Sequence, residues 1–209
     1  MKALSILILL FVTNIINGQI TDMYYVTSEL TNAVEVFNVN NENYNGIISL
    51  NQAGNGNSLT AVQQIQSTKD VYIYVTQFGN DNVGKVNQSG ESNSSVLIQK
   101  GNNNKADLDL NGNNIKTLTV QVGNDNNVVA DIENTYFYKA IVTNQYGNDN
   151  DINIKNTYER TVGIVVNQDH NNNEANIKLN SFSSPGVIVN QHGGSKINIV
   201  RSDFNFPMR

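Results

Sequence analysis

The chain has 209 residues, no cysteine, two histidines and a formal net charge of −5 at pH 7. The lack of cysteine excludes a disulfide scaffold and thiol chemistry, and the negative charge argues against nucleic-acid binding, which needs a basic surface. Because only 39% of the residues are hydrophobic, polar groups must contribute to holding the fold together.

The first element in chain order is an apolar segment at the N-terminus. Residues 1–18 contain Lys2, then a mostly apolar run, and end at the small residue Gly18. This order is typical of a secretory signal peptide, and the run is shorter than the roughly 20 residues that a membrane-spanning helix requires. We therefore predict a secreted protein that is cleaved near Gly18.

Residues 19–45 follow as a less regular segment. The stretch "YYVTSELTNAVEVFNVN" alternates enough for β-strands, but it lacks the motif that recurs later in the chain. Three interpretations stay open: a degenerate first repeat, a cap, or a segment that export machinery recognises.

From residue 46 to residue 202 the chain consists of repeats, which we predict to form one structural unit. The pattern is Gln-x-Gly-x-x-Asn, and successive copies lie 22 to 25 residues apart. Two later copies are weaker, since His170 replaces the glycine in one, and Lys196 stands five residues after Gln191, where the pattern has asparagine. The last residues, 203–209, include Pro207 and are predicted to form a tail, because proline cannot donate to a central strand ladder.

Each repeat contains short alternating stretches, typical of strands with one buried face. In the second copy Val71, Ile73 and Val75 share the parity of Gln77, while Tyr72, Tyr74 and Thr76 have the opposite parity. The Gly-Asn-Asp-Asn phrase between the strands is a turn signal. A single strand–turn–strand unit buries too little surface to be stable alone, so the units are expected to stack.

We therefore predict an all-β fold: a β-solenoid of about seven stacked strand–turn–strand repeats with two facing parallel sheets. Stacking places equivalent amide side chains above one another, where they can form hydrogen-bonded ladders. The predicted ladder residues are Gln52, Gln77, Gln99, Gln121, Gln145, Gln168, Gln191, Asn57, Asn82, Asn104, Asn126, Asn150, Asn173, Gln63 and Gln88. The predicted turn glycines are Gly54, Gly79, Gly101, Gly123, Gly147 and Gly193.

These repeats resemble the curlin repeat of curli fibres, in which Gln-x-Gly-x-x-Asn-x-Ala is followed by a second glutamine. The stretch "QKGNNNKADLDL" carries the pattern in Gln99, Gly101, Asn104 and Ala106. The second glutamine is present at Gln63 and Gln88, but is replaced in later repeats by Leu110, Ile132, Asn156 and Leu179. The serine expected six residues before the first glutamine is absent.

The resemblance implies a structural subunit of an extracellular, cell-surface-associated amyloid fibre of the biofilm matrix, with a role in adhesion. Its implied partners are further copies of itself, a partner curlin subunit, and the curli-type export and surface-assembly machinery. The fairly high charge, the incomplete ladder of second glutamines and the divergent last repeat look more like the minor, nucleating subunit. A major subunit and a non-polymerising secreted β-solenoid adhesin remain alternatives.

The sequence gives no sign of an enzyme or of a cofactor site. His170 and His192 fall at predicted turns, where exposed polar residues are ordinary, and they form no catalytic set with a serine or cysteine. Asp81, Asp125 and Asp149 recur in turns without the glycine-rich nonapeptide of calcium-binding β-rolls. We assign no catalytic residue, no metal ligand and no cofactor.

Overall fold

The computed structural model describes nine ranges of the backbone: 15–16, 19–20, 22–28, 33–39, 46–64, 71–132, 139–155, 163–179 and 186–200. Side chains are described for 48–62 and for the last four of these ranges. The predicted signal peptide, residues 1–18, lies outside the described residues except for Ile15 and Ile16, and the predicted tail, residues 203–209, lies wholly outside them.

The secondary structure of the described ranges consists of strands. Strands β1 (Ile15–Ile16) and β2 (Gln19–Ile20) form a short antiparallel pair. Among the described residues there is no helix long and apolar enough to cross a membrane. The other sixteen strands belong to two sheets of eight strands each.

The first sheet contains the odd-numbered strands. They are β3 (Asp22–Ser28), β5 (Gly46–Ala53), β7 (Val71–Phe78), β9 (Ser94–Lys100), β11 (Ile115–Val122), β13 (Lys139–Tyr146), β15 (Gly163–Asp169) and β17 (Val187–His192). The second sheet contains β4 (Ala33–Val39), β6 (Ser58–Gln64), β8 (Val83–Lys85), β10 (Lys105–Ala106), β12 (Asn127–Val129), β14 (Asp151–Ile154), β16 (Glu174–Lys178) and β18 (Lys196–Val200).

Consecutive strands lie in different sheets, so each strand pairs with the strand one repeat away rather than with its neighbour in sequence. All pairings within the two sheets are parallel. This arrangement is a β-solenoid, and the predicted fold class is confirmed.

Each of the two sheets has eight strands, which differs slightly from the prediction of about seven repeats. Strands β3 and β4 lie within residues 19–45, which have no Gln-x-Gly motif, yet they pair in parallel with β5 and β6. Parallel pairing is made by the backbone, so a segment with alternating residues can add a strand without the motif.

The hydrophobic core lies between the two sheets and follows the predicted alternation. Val71, Ile73 and Val75 are at most 1% exposed, whereas Tyr72 and Tyr74 on the opposite side of β7 are each 43% exposed. Other core members from the two sheets include Leu50, Leu59, Leu97, Ala106, Val128, Ile141, Ile152, Ile164 and Ile177. Each level therefore contributes a few aliphatic side chains to one continuous core.

Thr76 has the predicted outward parity but not the predicted exposure. The sequence pattern places it with Tyr72 and Tyr74 on the outer side of β7, but it is only 6% exposed. Its position near the end of the strand, in register with Asn51 and Ile98 on the two neighbouring strands, allows these neighbours to cover a small side chain. An outward-pointing residue is thus not always a solvent-exposed one.

Candidate functional site

The most extensive polar feature of the interior is a ladder of glutamines along the first sheet. The parallel register aligns Gln77 with Gln99 and Gln99 with Gln121, and the same alignment runs through the predicted set Gln52, Gln77, Gln99, Gln121, Gln145, Gln168 and Gln191. All seven side chains are at most 4% exposed. The motif therefore places one buried amide at every level of the stack.

Each of the first six glutamines in this ladder donates from Nε2 to Oε1 of the glutamine in the next repeat. The donor–acceptor distance is 2.6 Å from Gln77 to Gln99, 2.8 Å from Gln99 to Gln121 and 2.9 Å from Gln121 to Gln145. Gln52 also donates to Gln77. The amides donate to backbone carbonyls as well, for example from Gln121 to Lys105 O at 2.9 Å. These bonds offset the cost of burying the amides.

A second ladder is made by the asparagines that end each turn, and it has the opposite polarity. Asn82 Nδ2 donates to Asn57 Oδ1 at 3.0 Å, and Asn104 Nδ2 donates to Asn82 Oδ1 at 3.1 Å. The pattern continues through Asn126, Asn150 and Asn173. The ladder asparagines are at most 1% exposed. Glutamines donate toward the C-terminal end and asparagines toward the N-terminal end, so each level is bonded in both directions.

The two second-position glutamines do not continue as a ladder among the described residues. The Gln63 side chain lies outside the described residues. Gln88 is 2% exposed and accepts a 2.6 Å hydrogen bond from Ser95 Oγ. In later repeats the buried residues Leu110 and Ile132 stand at this position, and their aliphatic side chains cannot relay an amide bond.

A third amide ladder lies on the turns, and we did not predict it. The backbone N–H of Asn80 donates to Asn102 Oδ1 at 3.0 Å, and the N–H of Asn102 donates to Asn124 Oδ1 at 2.9 Å. The same bond joins six asparagines in sequence: Asn55, Asn80, Asn102, Asn124, Asn148 and Asn171. The sequence signal from which this ladder could have been predicted is the asparagine that directly follows the glycine position in six repeats.

The turn glycines are required by stacking as well as by backbone conformation. Gly101 has a φ of +124°, and a Cβ placed on it would lie within 3.0 Å of the Gly123 carbonyl, closer than Cβ atoms approach other heavy atoms. The same crowding occurs at Gly54, Gly79, Gly123 and Gly147. Gly193 differs, since its φ is +58° and no heavy atom would lie within 4 Å of a Cβ.

The structure of the last repeat shows that Lys196 does not occupy the asparagine position predicted from the sequence. Counting five residues from Gln191 puts Lys196 in the asparagine position, but the strand register pairs Lys196 with Glu174. Ser195 therefore lies level with Asn173, and its backbone N–H donates to Asn173 Oδ1 at 3.1 Å. The last turn is one residue shorter than its predecessor, so no charge enters the asparagine ladder.

Lys196 instead forms a surface ion pair. Its Nζ lies 2.7 Å from Glu174 Oε2, and its side chain is 76% exposed. The hydrogen bond to Glu174 and the charge of Glu174 raise the pKa of Lys196 above its ordinary value. The substitution Lys196→Ala is expected to change the urea midpoint of unfolding very little, because exposed ion pairs contribute little to stability. A large loss of stability would show that the lysine is structural and contradict this register.

The turn carboxylates occupy the positions that the sequence suggests. Asp81, Asp125 and Asp149 are exposed and adopt φ values of +55° to +56°, a conformation that aspartate tolerates better than most residues. The backbone conformation of the turn therefore explains why aspartate recurs between two asparagines, and the explanation requires no bound ligand.

The geometry defines a class of protein: a parallel two-sheet β-solenoid whose levels are joined by buried amide ladders. The family model described as the curlin associated repeat matches residues 79–109, which run from the turn before β8 to just beyond β10. The match supports the curlin repeat family that the Gln-x-Gly-x-x-Asn pattern resembles. No curated protein and no solved structure gives a significant match to the chain.

The fold and this match together fit a curli-type structural subunit. The family consists of structural amyloid subunits rather than enzymes, and its members assemble into extracellular fibres. The ladder geometry agrees with such a role, because a stack of equivalent levels can in principle be extended by further levels of the same kind.

Proposed function

We propose that the chain is a structural subunit of an extracellular curli-type amyloid fibre on the cell surface, and that it is the minor, nucleating subunit. The observation that carries the fibre proposal is the arrangement of the strands at the ends of the sheets. In the described structure β17 and β18 end the two sheets on one side, and β3 and β4 end them on the other. The outer edges of such strands offer unpaired backbone donors and acceptors.

A second copy or a partner curlin can extend both sheets by adding parallel strands at these edges. The contact would join one end of a molecule to the opposite end of the next, so it is head to tail and does not close on itself. Contacts of this kind build open filaments rather than rings. The same geometry supports self-association and association with a partner subunit.

The nucleating role is supported by the contrast between the middle repeats and the last one. The repeats from Gln52 to Asn150 keep every glutamine and asparagine of the two buried ladders. The last repeat has a shorter turn and Ser195 in place of asparagine. A folded stack of this kind would remove the nucleation cost for a partner curlin, while the divergent end would be used for attachment to the surface-assembly machinery.

The proposal is tested by adding the purified mature chain to a partner curlin at substoichiometric amounts and following thioflavin T fluorescence. We expect a shortened lag phase. An unchanged lag, together with abundant fibres from this chain alone, would identify a major subunit. A chain that stays monomeric for days at micromolar concentration and leaves the lag unchanged would identify a secreted adhesin.

Two truncations separate seeding from attachment. Removing residues 201–209 leaves β18 in place, so the lag should stay short while fibre retained on cells falls. Removing residues 196–209 also deletes β18, whose Ile197 and Ile199 pack against the core, so seeding should weaken as well. If the shorter deletion leaves fibre retention unchanged, attachment does not depend on the tail.

A further inference from the structure

A cluster of three metal-ligating side chains lies where β15 and β17 end, near the C-terminal end of the solenoid. Strand pairing places Asp169 directly beside His192, and His170 follows Asp169 in the chain. The potential ligand atoms of Asp169, His170 and His192 all lie within 4.8 Å of one another. These are the chain's two histidines, so the fold brings both of them to one point.

Two of the distances within the cluster are close to those between ligand atoms around a bound transition metal. The Nδ1 atoms of His170 and His192 lie 3.1 Å and 3.2 Å from the same oxygen, Asp169 Oδ2. Tetrahedral zinc with bonds of about 2.0–2.1 Å holds its ligand atoms about 3.4 Å apart. A small movement of these exposed side chains would therefore place two nitrogens and one oxygen around a zinc ion.

The two imidazole rings also lie close to each other. The imidazole centroids are 4.0 Å apart, with an angle of 59° between the ring planes. A cation between the rings would interact with both nitrogens and with the carboxylate.

His170 stands at the position where the earlier repeats have glycine. In five earlier repeats the equivalent residue is glycine with a φ of +114° to +125°, whereas His170 has a φ of +67°. Histidine, like asparagine and aspartate, adopts this left-handed conformation more readily than most residues. With this substitution the turn carries an imidazole next to Asp169, whose partner in the strand register is His192.

We propose that Asp169, His170 and His192 form a binding site for Zn²⁺ or a similar imidazole-preferring divalent ion. Imidazole nitrogen suits zinc, copper and nickel, whereas calcium and magnesium prefer oxygen ligands. Water would complete the coordination, since the three side chains are 59% to 71% exposed. The bound ion would join the end of β15 and the turn that follows it to the end of β17, and would so fasten the last level to its neighbour.

The test uses the full chain in its soluble state, so its result does not depend on the fibre proposal. Calorimetric titration with Zn²⁺ should show one ion per chain, and the ring signals of both histidines should shift together in an NMR titration. Ca²⁺ should not compete. A stoichiometry other than one, a shift of only one histidine, or equal competition by Ca²⁺ would overturn the proposal.

Matched variants locate the site. His170→Gly restores the glycine of the other repeats, so it should fold normally, as circular dichroism will verify, and weaken zinc affinity at least about tenfold. His192→Asn should weaken it similarly. Asp149→Asn, an exposed turn carboxylate in a repeat without histidine, should leave it unchanged. If His170→Gly binds zinc as tightly as the parent chain, the cluster is an ion pair and not a metal site.

Discussion

Replacing Gly101 with alanine is expected to destabilise the solenoid by more than about 3 kcal/mol. The new methyl group would lie within 3.0 Å of the Gly123 carbonyl, and the residue would have to keep a φ of +124°. The clash is with backbone of the next level, so no side chain can move aside to relieve it. The stack would have to open at this level, which urea unfolding monitored by circular dichroism will measure.

Gly193→Ala is the matched control for this effect. Gly193 also has a positive φ, +58°, but no heavy atom lies within 4 Å of the position that a Cβ would take. The cost should therefore be confined to the backbone conformation, about 1–2 kcal/mol. Equal losses in the two variants would mean that conformation alone requires the glycines and that crowding between levels is unimportant.

The inward-facing residues could be predicted from the sequence because each of them recurs at the same place in successive repeats. A residue that recurs every 22 to 25 positions is brought to the same place at every level, and alternation then decides whether it points inward. Gln99 and Asn104 could be assigned to the interior for this reason. Lys139 is an exception, since it is 1% exposed and lies in register with Ile115, although a charged residue ordinarily indicates the surface.

The error at Lys196 came from assuming that all turns have the same length. Counting from Gln191 ignores the strand that follows, in which Ile197 and Ile199 must face the core beside Ala175 and Ile177. Shifting this strand by one residue would turn both isoleucines outward. Burial of the isoleucines therefore fixes the register, and the turn shortens to accommodate it.

The histidine cluster could not be predicted from local pattern. His170 and His192 are 22 residues apart, and each considered alone is an ordinary turn residue. They approach one another because the turns also stack, a consequence that we applied to the inward amides but not to the outer residues. The turn asparagines, such as Asn80 and Asn102, were missed for the same reason.

Replacing Gln145 with leucine is expected to lower stability by about 2–4 kcal/mol, although the side chains are similar in size. Gln145 accepts from Gln121 Nε2 at 2.9 Å and donates to Gln168 Oε1 at 2.9 Å. It also donates to the Asn127 carbonyl at 2.9 Å. With leucine at this position, the partner atoms of these three bonds would stay buried but lose the hydrogen bond to residue 145. Each such unsatisfied group costs about 1–3 kcal/mol, and the cost is smaller where the group keeps another hydrogen bond.

The neighbouring substitution Tyr146→Leu provides the comparison. Tyr146 lies on the same strand, points to the other side and is 48% exposed, so its loss should cost less than about 1 kcal/mol. Urea unfolding of the soluble chain measures the two stabilities, and thioflavin T kinetics measure assembly, which Gln145→Leu should also slow more strongly. If the two variants lose equal stability, the glutamine ladder does not hold the levels together, and the solenoid depends on its aliphatic core and backbone pairing alone.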